Sequence, residues 1–118
     1  MPVIHVKSTS TVAAALLAVG VCLGAPAKAE DAQMFNITIR NHTFDPAEVH
    51  VPAGKPIILV VKNADSTVEE FESKKLKVEK IIPGGQSGAI RLRPLAVGEY
   101  PFVGELHEDT ATGTIIAE

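Results

Sequence analysis

Seven short stretches of β-forming residues, most of them closed off by proline or glycine, follow one another between Met34 and Glu118. In MFNITIR, Phe35, Ile37 and Ile39 alternate with Asn36, Thr38 and Arg40, so an extended chain presents one apolar and one polar face. AEVHV repeats the alternation in miniature. PIILVV, Pro56 to Val61, is apolar on both sides and is predicted as a central strand. LKVEKII (Leu76 to Ile82), SGAIRLR (Ser87 to Arg93), YPFV (Tyr100 to Val103) and the terminal GTIIAE complete the set. Pro52-Ala53-Gly54, Pro83-Gly84-Gly85 and Ala96-Val97-Gly98 supply the turns between them. About seven strands in fewer than 90 residues predict an all-β, two-sheet Greek-key sandwich, with an open barrel as second choice.

One segment departs from this rhythm. Asp65 to Leu76, DSTVEEFESKKL, lacks obvious strand alternation, and Ser66 with Glu69 or Thr67 with Glu70 fits a helix capping box. Glu70 and Lys74 stand four apart, the spacing of a helical ion pair. A short surface helix is therefore expected between the strands.

The amino-terminal residues follow other rules. Lys7 precedes an apolar run from Val12 to Leu23, and small residues end at Ala27-Lys28-Ala29, the pattern of a secretory signal peptide over residues 1–29. The run is shorter than the roughly 20 residues that span a bilayer. Export, and for a bacterial chain a periplasmic location, is the expectation, with residues 30–118 forming one domain. The sole cysteine, Cys22, lies inside the run, and Val21 before it is not the small residue that a lipoprotein signal requires. The remaining domain has no cysteine, so neither a disulfide nor a thiolate contributes to it. Without Lys7 and Lys28 it carries nine basic against fourteen acidic residues, a net charge of −5 that argues against nucleic acid as a partner.

Two sequons, at Asn36 and Asn41, are taken as accidental, and no strand-turn-helix elbow presents a nucleophile for hydrolysis. Chemistry concentrates instead in GELHEDTATG, residues 104–113, where His107 stands among Glu105, Glu108 and Asp109.

HTFDPAEVHVPAGKPIILVVKN, NADSTVEEF and YPFVGELHEDTATG together resemble the cupredoxins, the blue-copper family that includes azurin and plastocyanin. The likeness runs over residues 33–118 and implies a cupredoxin-like sandwich. It places the family's first copper histidine on Glu69, its cysteine on Gly104, its second histidine on His107, its methionine on Ala111 and its loop glycine on Gly113. Three of four ligands are gone. A blue-copper centre needs the thiolate, so that function is excluded.

The pattern EEFES with GE-hydrophobic-H-x-x-T-A resembles a divergent cupredoxin-like group found beside bacterial ferrous-iron permeases. That resemblance implies a divalent transition metal, iron first and manganese or copper(II) as further choices, held by Glu69 and His107, with Glu105, Glu108 and His42 as additional candidates. It also implies an inner-membrane iron permease and a second periplasmic metal-binding protein as partners. Carboxylates in place of sulfur donors shift a site toward harder ions and, for iron, toward the ferric state, so an oxidase of ferrous iron is an enzymatic reading that the sequence permits. Two plainer accounts compete. Glu69 could be a capping residue, with Glu70, Glu72 and the loop carboxylates solvated. His50, in an alternating strand, reads as a sheet-face residue, and the whole domain could be a metal-free docking module for a membrane or periplasmic partner.

Overall fold

The computed structural model describes residues 31–118 and the single residue Val3; the expected signal peptide, residues 1–29, lies outside the described residues apart from Val3. Nine strands form two sheets: β1 Gln33–Arg40, β2 Thr43–Asp45, β3 Glu48–Val51, β4 Ile57–Asn63, β5 Glu69–Ser73, β6 Val78–Ile82, β7 Ser87–Leu92, β8 Gly98–Gly104 and β9 Thr112–Ala117. One sheet has the order β2-β1-β4-β7 and the other β3-β9-β8-β5-β6. β1 runs parallel to β4, and β3 parallel to β9, while the other pairs are antiparallel. The nearly all-β sandwich expected from the sequence is what the chain forms.

Alternation sets the register. Ile37 and Ile39 on β1, and Ile57, Leu59 and Val61 on β4, point inward and are almost fully buried. They meet Phe71, Phe102, Ile115 and Ala117 from the opposite sheet. Phe102 is the hub, stacking on Phe71 at a centroid distance of 4.9 Å and meeting Phe44 edge-on at 5.0 Å. Such pairs add about 1 kcal/mol each beyond the area they bury. Gly113 is explained by this hub, because a Cβ there would collide with the Phe102 ring. PIILVV is indeed a central strand, flanked by β1 and β7, although Ile58 and Val60 on its outer face remain half-exposed.

Two differences from expectation meet at one place. The helix predicted over Asp65–Leu76 does not form: Glu69–Ser73 is a strand, and the only helical element among the described residues is a 3-10 turn, Glu105–His107. Together with the three-residue β2, β5 raises the strand count from about seven to nine. EEFES does alternate, but its inward positions are Glu69, Phe71 and Ser73, two of them polar, so the period was hidden from a hydrophobicity reading. Instead of capping a helix, the approach to β5 is tied down by the buried Asn63. Its side-chain amide donates to the carbonyls of Thr67 at 2.8 Å and Ile82 at 3.0 Å, and its oxygen accepts from the Asp65 amide at 3.0 Å.

Candidate functional site

At one end of the sandwich, β5 leaves Asn63's loop beside the 3-10 turn that follows β8. Glu69, the first residue of β5, points inward and is 2% exposed. Its Oε1 accepts the backbone N–H of Glu70 at 3.0 Å and of Leu106 at 3.1 Å. Its Oε2 lies 2.5 Å from Nδ1 of His107. A carboxylate offers only acceptors, so Nδ1 carries the hydrogen and Nε2 is left for another partner. His42, from the turn after β1, stacks on His107 with centroids 3.5 Å apart and planes 13° from parallel. Its Nε2 stands 3.4 Å from Thr67 Oγ1.

The turn that carries His42 is itself anchored. Asp65 Oδ1 accepts from Asn41 N at 2.7 Å and Oδ2 from His42 N at 3.0 Å. The His42 backbone bond, foremost, with that of Asn41, holds the Asp65 carboxyl below the ordinary aspartate range against the opposing effect of burial. The sequence-predicted residues Glu69, His107 and His42 are thus brought together. With the two imidazoles nearly parallel and 3.5 Å apart, however, their in-plane lone pairs lie in separate planes and do not meet at one point.

Gly104 explains how a glutamate fits so deep. A Cβ on Gly104 would stand 2.7 Å from Glu69 Cδ and 2.8 Å from Ala111 Cβ. The small residues at 104 and 111 therefore make the hollow that the Glu69 carboxyl fills. A thiolate and a thioether are absent from the very positions where the resemblance would put them, and the space is taken, so a blue-copper centre does not fit this chain.

A second group of carboxylates lies on the opposite face of β5. Residues of alternate parity point outward, and β5 pairs with β6 so that Glu70 faces Ile81 and Glu72 faces Glu79. The 3-10 turn delivers Glu105 to the same place. Carboxylate oxygens of Glu70, Glu79 and Glu105 all lie within 4.8 Å of one another. Glu72, only 8% exposed, neighbours Glu105. That contact, then burial and the repulsion of Glu105, raises the Glu72 pKa above the ordinary glutamate range, partly opposed by Lys74. Repulsion between neighbouring carboxylates favours a bound proton or a nearby cation.

Glu105, one of the sequence candidates, therefore belongs to this outer group. Glu108 does not join either cluster; it borders a cleft of about 340 Å3 lined also by Glu72, Lys74, Lys75 and Pro101–Val103. The sequence reading leaves Glu70 among the solvated carboxylates and does not single out Glu79. The signal available for Glu70 and Glu72 was their spacing of two, which places both on one face once EEFES is read as a strand. His50 stands on the exposed face of β3, 2.9 Å from Glu118, as a sheet-face residue.

Comparison with known proteins agrees with this architecture. The sequence profile of the cupredoxin-like domain matches residues 13–117, and the chain belongs to that family. An uncharacterised protein of Rickettsia prowazekii (strain Madrid E) is 49% identical over 80 residues, which cover 68% of this chain and 64% of that protein. The chain thus spans under two thirds of that relative's length. Among solved structures, the metal binding domain of the Cu(I)-exporting P-type ATPase CopA of Streptococcus pneumoniae D39 superposes with a TM-score of 0.65 at 16% identity, over 72% of this chain and 84% of that one. A purple cupredoxin from Nitrosopumilus maritimus superposes at 0.55 with 16% identity, over 70% of this chain and 98% of the other. At such identities the likeness concerns the fold.

Proposed function

We propose that this chain is an exported, periplasmic protein that binds a divalent transition metal on the outer face of β5 and β6. Glu70, Glu79 and Glu105 are the proposed ligands, with Glu72 beside them. Iron is the first choice, and manganese(II) or copper(II) are alternatives. The observation that carries the reading is the convergence of three carboxylates from three chain segments, with oxygens within 4.8 Å of one another. An all-oxygen set of this kind selects hard ions over cuprous copper, whatever the copper-binding neighbours of the fold bind. Negative charge concentrated at one point also holds iron(III) more tightly than iron(II). In the cell, the protein would serve as an accessory to an inner-membrane iron permease, together with a second periplasmic metal-binding protein.

A second reading keeps the metal at His107. The contact between Nδ1 and Glu69 favours it, since metal-ligating histidines commonly donate their other ring N–H to a carboxylate. Calorimetric titration of the protein with iron(II) under anaerobic conditions, manganese(II) and copper(II) separates the two. Loss of binding in Glu70→Gln and Glu105→Gln, with His107→Ala retaining it, supports the outer face. The opposite pattern moves the metal to His107. No heat with any of the three ions would leave a metal-free docking module.

A further inference from the structure

The inner carboxylate has a role that its position on the family's ligand map conceals. Its oxygens are committed: Oε1 to two backbone N–H groups, of Glu70 and Leu106, and Oε2 to His107. One of those amides follows Glu105 and the other belongs to Glu70, so Glu69 joins two of the three segments that bring the outer carboxylates together, its own strand and the 3-10 turn. The 3-10 turn has no side-chain cap of its own, and Leu106 on it is half-exposed, so burial does little to fix it. Further ties are the backbone bonds of Gly104 N to the Ala111 carbonyl and Ala111 N to the His107 carbonyl, both 2.8 Å, and of Thr110 N to the His107 carbonyl at 3.2 Å, with the Thr110 hydroxyl on the His42 carbonyl and the His107 ring stacked on His42. The backbone bonds close the loop onto itself, and the His42 contacts tie it to the turn after β1. None of these reaches β5.

We propose that Glu69, seated over Gly104, is a positioning residue: it clamps the Glu105–His107 turn to β5 and so holds Glu105 opposite Glu70 and Glu79. This rests on the outer-face metal site. The exchange of residues at 69, 104 and 111 then forms one unit, in which a hollow left by two small side chains receives a carboxylate that organises donors on the other side of the strand.

Because a glutamine oxygen can accept the same two backbone bonds, Glu69→Gln separates positioning from ligation. Manganese(II), which neither oxidises readily nor precipitates at neutral pH, is the probe. Glu69→Gln is expected to bind within about threefold of the unmodified protein, whereas Glu69→Ala loses about tenfold or more, the range typical of residues that support metal ligands. Should Glu69→Ala not fold, Gly104→Ala takes its place, since its Cβ must displace the Glu69 carboxyl; the same tenfold loss is expected. The Leu106 amide, followed by hydrogen exchange without metal, should be protected in the unmodified protein and in Glu69→Gln, and fast in Glu69→Ala or Gly104→Ala.

Equal losses in Glu69→Gln and Glu105→Gln would make Glu69 a ligand and overturn the clamp. So would unchanged affinity, or unchanged Leu106 exchange, in the variant that removes or displaces the carboxyl. If the unmodified protein binds no manganese, the metal site itself falls, and the Leu106 amide still reports separately whether Glu69 holds the turn.

Discussion

The two faces of β5 carry the same residue type in opposite conditions. On the inner face, Glu69 is almost completely buried and has a donor for each oxygen. On the outer face, Glu70 and Glu72 meet Glu79 and Glu105, and what crowds them is further carboxylate. The buried glutamate, which matches a family ligand position, is satisfied by the protein, whereas the outer ones have a deficit of positive charge that a cation would fill.

The largest expected effect breaks the inner face. Glu69→Ala leaves the Leu106 amide and the His107 Nδ1 hydrogen without their acceptor, and each unmet donor costs about 1–3 kcal/mol. Chemical denaturation of the apoprotein measures it; a loss below about 1 kcal/mol would mean that Glu69 contributes little to holding this end together. Gly104→Ala attacks the same region sterically. Forcing a methyl into the space over the Glu69 carboxyl should cost about 1–3 kcal/mol, read from the same unfolding curves.

On the outer face the signs reverse. Glu105→Gln should lower manganese(II) affinity about tenfold, or about 1.4 kcal/mol, by isothermal calorimetry. Its effect on the apoprotein should be neutral to slightly stabilising, because it relieves repulsion on Glu72. The smallest effect is the pH dependence. A carboxyl whose folded pKa lies above its unfolded one binds its proton more tightly in the native state. Apoprotein stability should therefore rise as pH falls from neutral through the raised Glu72 pKa toward the ordinary glutamate range. Asp65 acts in the opposite sense and in a lower window. Its depressed pKa contributes stability that is present above the ordinary aspartate range and is lost as pH falls through the folded value. Melting temperatures from pH 7 down to pH 3 should show a shallow rise followed by a fall, with the rise absent in Glu72→Gln.

The same two faces explain what was legible in the sequence. Strands with apolar inward positions, such as β1 with Ile37 and Ile39 or β4 with Leu59 and Val61, announced themselves by period. β5 did not, because Glu69 and Ser73 stand where a hydrophobic residue is expected, and a capping-box pattern at Ser66 and Glu69 offered a helix instead. β2 is too short, at three residues, to show a period. That error then hid the outer cluster: in a helix Glu70 and Glu72 diverge, whereas in a strand they share a face. The proximity of His107 and Glu69 was visible through the family likeness. The hydrogen bonds that occupy Glu69 were not, since those of Leu106 and His107 come from a turn 37 and 38 residues away.

The account turns on where a hard cation sits. Titration of the protein with manganese(II), beside a Glu70→Gln, Glu79→Gln, Glu105→Gln triple variant and Glu69→Gln, tests this most directly. The account predicts one ion bound by the unmodified protein, near-normal binding by Glu69→Gln and none detectable in the triple variant. Binding that survives intact in the triple variant, or is lost in Glu69→Gln, would contradict it.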